Sequence, residues 1–223
     1  IYLNYKKIDD DYGELAKTYT KEKEEKEEKE SYLQINWDEL LQRNKDVKAW
    51  IQIPNTNVNY PVLQGETNDT YIHSDIDHNE LSAGSIFIAS ENEDPFNDFN
   101  TVIYGHNMKN GSMFQSLHNY MDRTFFDEYR EIIVYTPDAV RHYKIFAAYL
   151  YDDRHLLQSF DFSNERVYRA YLDNIFSIRD MNACIDTSVE IDTEDKIITL
   201  STCYGNQPDK RYLVQAVLET IEK

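Results

Sequence analysis

The sequence predicts a mainly β protein with helical insertions, folded as a closed or nearly closed barrel with helices at its N-terminus. Eight short apolar runs follow one another after residue 50. Prolines and glycines separate them, as they separate strands in all-β proteins. Few segments between the runs have the periodicity of a helix. The predicted strands are 50–53, 58–63, 85–89, 101–104, 131–135, 142–151, 197–202 and 212–218.

The composition narrows the class of protein. The chain has 223 residues, with 41 Asp and Glu against 23 Lys and Arg, which gives a net charge of −18. An acidic chain is a poor partner for nucleic acid, and it lacks the basic face that docks on anionic lipid. No run of about 18 apolar residues is present, so the sequence predicts no membrane span. Two cysteines are too few for a disulfide scaffold.

The first 30 residues predict a helical appendage in front of one globular domain of residues 31–223. Residues 21–30 are all Lys and Glu, whereas the preceding segment has an apolar stripe at helical spacing. We expect one helix over 2–30, docked by its first half and solvated along its second half. Residues 1–30 are then expected to be dispensable for activity in solution. The stripe consists of Tyr5, Ile8, Tyr12, Leu15 and Tyr19.

Three further helices and one turn are predicted. Asn36 and Glu39 form a capping-box pattern that begins a short helix. A second short helix is predicted over 112–121. A longer one is predicted over 163–178, with Ser163 as its N-cap. Residues 136–139 read Thr-Pro-Asp-Ala, which is typical of a turn between two strands.

Three reactive residues lie at the ends of apolar runs. His106 follows Tyr-Gly at 104–105, Cys203 ends the run Leu-Ser-Thr-Cys at 200–203, and Arg211 opens the last predicted strand. A thiolate, a group that exchanges its proton and a cation for an oxyanion are what cysteine-based acyl transfer needs. Taken singly, a cysteine at the end of a strand is most often a small buried apolar residue, and a histidine after a glycine is most often part of a loop. The order His before Cys excludes a papain-like enzyme, and the caspase motif is absent.

These segments resemble the sortases, cysteine transpeptidases of Gram-positive cell surfaces. Residues 199–203 read Thr-Leu-Ser-Thr-Cys and match the family's T-L-x-T-C signature. His106 and Arg211 match its catalytic histidine and arginine. Further segments are similar to class B, and the resemblance covers roughly residues 35–220. These segments are Tyr-Gly-His-Asn-Met at 104–108, Gly-Ser-Met-Phe at 111–114, Trp-Ile-Gln-Ile-Pro at 50–54, Tyr-Pro-Val at 60–62 and Ala-Gly-Ser-Ile-Phe at 83–87.

The resemblance implies an eight-stranded sortase-type barrel and a transpeptidase mechanism. Cys203 would attack the Thr carbonyl of a C-terminal sorting motif, N-P-x-T followed by Gly, Asn or Ser, and form a thioester. His106 would protonate the departing amine. Arg211 would bind a substrate carbonyl or the oxyanion. An amine from a peptidoglycan cross-bridge or a pilin lysine would then resolve the thioester.

The resemblance also implies substrate contacts and a location. Ser201 and Thr202 would line the groove beside the thiol, and Asn68 and Ile72 would touch the motif. Relatives carry an N-terminal membrane anchor, so we expect a monomer at the extracellular face of the membrane, held by a segment that these residues do not include. No cofactor and no metal are expected.

Two other features have ordinary interpretations. Residues 75–79 begin like a calcium-binding loop, but Glu80 and Ile86 stand where glycine and glutamate are required. His73 and His78, with the aspartates of the same segment, are expected to lie in a solvated loop instead of a metal site. Cys184 is expected to pack as a small hydrophobe.

Two alternatives to a transpeptidase remain open on the sequence. A thiol protease or hydrolase would use the same nucleophile without transfer to an amine. A degenerate, non-enzymatic β-barrel could bind ligands without chemistry, although the presence of all three catalytic residue types weighs against it.

Overall fold

In the computed structural model, which describes residues 2–22 and 32–223, eight strands close into a mixed β-barrel. The strand order is β11-β10-β6-β5-β4-β3-β7-β8, and β8 pairs with β11 to close it. The strands are β3 (Val47–Gln52), β4 (Asn59–Leu63), β5 (Ile86–Ile88), β6 (Asn100–Tyr104), β7 (Glu131–Thr136), β8 (Ala139–Asp152), β10 (Ile197–Tyr204) and β11 (Gln207–Glu222).

Each of the eight predicted strands is present as one strand of this barrel, so the predicted fold class is confirmed. The predicted turn joins β7 to β8, since Thr136 pairs with Ala139 across it. Most neighbours are antiparallel, but β4 runs parallel to β5 and β6 runs parallel to β10. Three short strands were not predicted: β1 (Thr20–Glu22), β2 (Leu33–Ile35) and β9 (Cys184–Ile185).

The barrel wall is covered on both faces along part of its circumference. Ile198 and Leu200 of β10 point into the barrel core, whereas Ile197 belongs to a second apolar cluster outside it. Helix α5 (Glu165–Ser177) covers that outer cluster with Tyr168 and Leu172. Both faces of β10 are therefore buried, from Ile197 to Thr202.

The shorter helices follow the predictions with small shifts. Helix α2 (Trp37–Arg43) is capped by Asn36, whose side chain accepts from the backbone N–H of Glu39 at 3.4 Å. The segment predicted over 112–121 is a 3-10 helix, Gln115–Met121. The predicted cap of α5 was wrong. Asn164 caps this helix, because the Ser163 hydroxyl is bonded to Asp161 instead. Helices α3 (Arg123–Glu128) and α4 (Leu156–Ser159) were not predicted.

The N-terminal helix is shorter than predicted. Helix α1 spans Tyr2–Tyr19, and the chain then forms β1, which pairs antiparallel with β2. The backbone N–H of Asn36 donates to the carbonyl of Tyr19 at 2.8 Å, so strand pairing replaces the next helical turn. The rest of the predicted helix, residues 23–30, lies outside the described residues. No described helix has the length and apolar character needed to cross a bilayer.

Docking of the first half of α1 is confirmed. Ile8, Tyr12 and Leu15 are buried and belong to the same apolar cluster as the barrel core. Tyr19 packs against that cluster in a partly buried position. The side chain of Tyr5, the remaining member of the predicted stripe, is not among those described.

A buried amide ties the closing seam together. Gln215 of β11 is fully buried, and its side-chain nitrogen donates to Tyr171 of α5 at 2.7 Å and to Thr199 of β10 at 2.8 Å. Its side-chain oxygen accepts from the hydroxyl of Tyr149 of β8 at 2.8 Å. One side chain thus satisfies hydroxyl groups from three elements around β11.

Gln215→Leu should destabilise the fold by about 2–4 kcal/mol, because buried hydroxyls lose their partner while the volume is nearly kept. Urea unfolding measures the free energy. Gln207→Leu is the matched control, since Gln207 lies exposed on the same strand, and it should change the free energy of unfolding little. Equal effects of the two substitutions would show that the amide network contributes nothing.

Candidate active site

The parallel pairing of β6 and β10 brings His106 and Cys203 to the same end of the barrel. Tyr104 pairs with Ser201 as the last rung, so residues 106 and 203 each lie two positions beyond it. The backbone N–H of Gly105 donates to the carbonyl of Ser201 at 3.1 Å. The side-chain amide of Asn107 donates to the carbonyl of Cys203 at 3.1 Å and continues the contact past the sheet.

Arg211 reaches Cys203 from the other side of β10. The two residues are direct partners in the antiparallel ladder of β10 and β11. Directly opposed residues project from the same face of a sheet with Cβ atoms about 4.5–5.5 Å apart. The register thus places Cys203 and Arg211, which the sequence puts at the end of one predicted strand and the start of the next, at one rim of the barrel.

The connection between Cys203 and Arg211 is shorter than the gap between the predicted strands 197–202 and 212–218. Strand β11 begins at Gln207, which pairs with Tyr204 across a bulge, so the turn is only Gly205-Asn206. Gly205 has φ +53°, a left-handed conformation that glycine adopts without a Cβ clash. The segment is polar and contains a proline, yet Gln207 pairs with Tyr204, and residues 208–210 form the bulge between the two rungs.

These residues open onto a cavity of about 240 Å³. All seven residues predicted for the site line this one cavity, with Tyr104, Arg154 and His155 among its other walls. The structure thus brings the seven predicted site residues together around one cavity. The chemical role of each residue stays a prediction. The seven are Asn68, Ile72, His106, Ser201, Thr202, Cys203 and Arg211.

His106 is held by a backbone carbonyl. Its Nε2 lies 2.6 Å from the carbonyl oxygen of Ile72, and because a carbonyl only accepts, Nε2 carries a hydrogen. Nδ1 is then the atom that can exchange a proton. Within the described part of the chain, no hydrogen bond joins His106 to Cys203.

The surroundings of His106 lower its pKa below the ordinary 6.5. Burial is the main cause, because it penalises the charged imidazolium. The Ile72 carbonyl opposes this shift by accepting a hydrogen bond, and repulsion from His73 adds to it. The His73 ring stacks on His106 at 5.5 Å and 18°.

The backbone around His106 has little freedom. A Cβ on Gly105 would lie 2.5 Å from the Ile86 side chain and 2.6 Å from that of Phe114, so only glycine fits between β6 and the histidine. On the other side, the N–H of Phe114 donates to the His106 carbonyl at 2.9 Å. Packing before His106 and a hydrogen bond after it fix where the ring emerges.

The two cysteines lie in opposite environments. Cys203 is exposed, whereas Cys184 is buried in β9 as the sequence predicted. Burial raises the pKa of the Cys184 thiol. Ser201 and Thr202, which precede the exposed thiol, are themselves buried.

Two residues that hold Asn68 at the cavity, Glu91 and His155, were not predicted. The Asn68 side chain donates to Glu91 at 2.9 Å and accepts from the N–H of Ser90 at 2.9 Å. His155 lies 3.3 Å from the same carboxylate. Burial alone would raise the pKa of Glu91, but hydrogen bonds from Asn68 and Gln158 outweigh it and lower that pKa. No sequence signal joins residues this far apart.

The sequence model of the Sortase domain family matches residues 51–219. The chain belongs to the sortase family. It is similar to sortase B of Staphylococcus aureus (strain NCTC 8325 / PS 47), with 30% identity over 189 residues, 84% of this chain and 76% of that protein. It is also similar to sortase B of Listeria monocytogenes serovar 1/2a, with 34% identity over 74% of this chain and 65% of that protein.

Solved structures agree on the class. Sortase B from B. anthracis in complex with AAEK1 superposes with a TM-score of 0.81 and 28% identity, covering 98% of this chain and 99% of that one. A Staphylococcus aureus sortase B–substrate complex gives a TM-score of 0.78 and 26% identity, with coverage of 98% and 99%. The chain is thus a class B sortase, a cysteine transpeptidase.

An alkylating reagent should modify Cys203 of this class B sortase much faster than Cys184, because only Cys203 is exposed and burial raises the pKa of the other thiol. Cys203→Ala should abolish peptide cleavage, while the matched Cys184→Ala should leave it near wild type. Peptide mapping after partial alkylation, alongside turnover, checks both. Inactivation that tracks modification of Cys184 would contradict the assignment.

Proposed function

We propose that this class B sortase cleaves a C-terminal sorting motif of the N-P-x-T-[G/N/S] kind after Thr and transfers the acyl group to an amine of the cell wall or of a pilin. One observation carries the proposal. The exposed Cys203 lies between His106 on the β6 side and Arg211 on the β11 side, at the edge of a cavity.

The first half of the reaction forms a thioester. The Cys203 thiolate attacks the Thr carbonyl carbon, and the carbonyl oxygen becomes an oxyanion. When the C–N bond breaks, the departing amine takes a proton from His106. Because Nε2 is engaged with Ile72, this proton comes from Nδ1. The second half reverses these steps with the acceptor amine, which gives a proton to His106 and releases the thiolate.

Arg211 supplies hydrogen-bond donors to the oxyanion or to a substrate carbonyl. In the ligand-free protein its Nη1 donates to the backbone carbonyls of Pro208 at 2.7 Å and Lys210 at 3.0 Å. A guanidinium has five N–H donors in a rigid plane, so this internal contact leaves others for the substrate. The same contact holds the planar group near the Cys203 rung.

The cavity binds the motif. Asn68 and Ile72 touch it from the segment after β4, while Ser201 and Thr202 line the groove beside the thiol. All four line the cavity, and a structural neighbour, sortase B of Staphylococcus aureus, is known as a substrate complex. That neighbour supports a peptide substrate as the ligand.

The proposed setting is the extracellular face of a Gram-positive cell membrane. An anchor before α1 would hold a monomeric enzyme there, close to surface proteins and to peptidoglycan amines. Support comes from class B membership, since the acceptor and the anchor belong to that resemblance and not to the geometry.

The products of the reaction distinguish acyl transfer to an amine from hydrolysis. The enzyme is incubated with an N-P-x-T-G-type peptide, with and without an amine such as oligoglycine, and the products are weighed by mass spectrometry. We expect a peptide–amine adduct that rises with amine concentration at the expense of the free acid. Free acid alone at every amine concentration would favour the thiol hydrolase, and an uncut peptide would refute the proposal.

Arg211→Lys should lower kcat by a factor on the order of 10²–10³, the effect of losing one oxyanion donor. Lysine keeps the charge but replaces the planar fork by a point charge on a flexible stem. Steady-state kinetics measure it. Lys210→Ala is the control, because adjacent residues in a strand face opposite sides, and it should be mild. Near-wild-type turnover of Arg211→Lys would refute the need for the fork.

A further inference from the structure

Helix α1 contacts both segments that hold His106. We call residues 71–85 the Ile72 segment, because it contains the carbonyl that binds Nε2 of His106. We call residues 105–114 the His106 segment. Tyr12 of α1, which is only 6% exposed, bonds to the Ile72 segment directly and reaches the His106 segment through Tyr60.

The first contact leads to the Ile72 carbonyl. The Tyr12 hydroxyl donates to the carbonyl of Gly84 at 2.5 Å. Gly84 has φ +55° and packs so tightly that a Cβ there would lie 2.4 Å from the Ile72 oxygen. The neighbouring N–H of Ser85 donates to the carbonyl of Tyr71 at 3.0 Å. Tyr12 thus anchors the chain that packs directly on the acceptor of His106.

The second contact leads to the other side of the histidine. The Tyr12 ring meets Tyr60 edge-on, with centroids 5.3 Å apart at 86°. The Tyr60 hydroxyl accepts from the N–H of Met113 at 3.0 Å. Met113 is buried with φ +57°, and the next residue, Phe114, donates to the His106 carbonyl.

A third contact, which is exposed, also joins α1 to the His106 segment. The side-chain amide of Asn110 donates to Asp9 of α1 at 2.9 Å. An exposed hydrogen bond contributes little by itself. This bond contacts the His106 segment directly, whereas Tyr12 reaches that segment through Tyr60.

We infer that Tyr12 is a positioning residue for His106, acting through Gly84 on the Ile72 carbonyl and through Tyr60 on the His106 segment. The inference rests on the proposed role of His106 in proton transfer. Displacement of a catalytic group by about 1 Å can cost a factor of roughly 10² in rate. A helix that the sequence alone suggests is dispensable is therefore part of what aligns the active site.

Tyr12→Phe tests this with the smallest change. It removes the hydroxyl that bonds Gly84 and keeps the ring that packs on Tyr60. We expect kcat to fall about fivefold, as for one lost hydrogen bond, with KM within about twofold of wild type. The matched control is Tyr168→Phe, since the Tyr168 hydroxyl is also bonded to a backbone carbonyl, that of Asp195 at 3.0 Å. It should lower the Tm similarly and leave kcat unchanged.

A second measurement separates positioning from general stability. The Ile72 carbonyl favours the charged form of His106, so a looser contact should lower the pKa of His106 further. His73 stacks on the ring and repels that charge in every variant. NMR titration of the His106 imidazole should therefore show a downward shift in Tyr12→Phe and none in Tyr168→Phe.

Gly84→Ala tests the same path without touching α1. The added Cβ must displace the Ile72 carbonyl, so kcat should fall at least as far as in Tyr12→Phe. The inference would be overturned, and the proposed function kept, if Tyr12→Phe had wild-type kcat and an unchanged imidazole pKa while His106→Ala was inactive. Turnover in His106→Ala would instead refute the proposed function, and the inference with it.

Discussion

The geometry of the site depends on one strand, β10, which has a parallel neighbour on one side and an antiparallel neighbour on the other. β10 runs parallel to β6 and antiparallel to β11, so Cys203 has His106 on one side and Arg211 on the other. A slip of one residue would turn the thiol to the other face. The register is held by buried polar contacts as well as by apolar packing. The Thr199 hydroxyl donates to Asn100 of β6 at 2.9 Å and accepts from Gln215 of β11 at 2.8 Å.

Much of this was accessible to sequence reasoning. Apolar runs between glycines and prolines located all eight barrel strands, because each strand buries apolar side chains and turn residues separate the strands. The reactive residues were found for a related reason, since His106, Cys203 and Arg211 interrupt or end those runs. Motif resemblance then implied that these residues act in one site, whereas the parallel pairing of β6 with β10 became known only from the structure.

What the sequence did not predict depends on tertiary partners. Helix α1 ends at Tyr19 because β2 pairs with the next residues, although the Lys and Glu pattern favours a helix. β11 extends through Gln207 because β10 offers a ladder there. The contacts of Glu91 and His155 join loops that are distant in sequence. For Tyr12, the helical spacing predicted a buried position but not the partners of its side chain. Each depends on a distant segment, which no local window contains.

Hydrogen bonds within the protein hold side chains that line the cavity. Arg211 and Asn68 already bond to protein groups, at Pro208 and at Glu91. Exchanging one hydrogen bond for another changes the free energy little, whereas leaving a buried group unpaired is costly. A side chain that gives up such a contact to bind a substrate therefore gains little free energy from the exchange. His106 differs, because its bond to Ile72 can persist through the reaction while Nδ1 exchanges the proton. A contact that need not be broken is one that distant packing, including that of α1, can usefully stabilise.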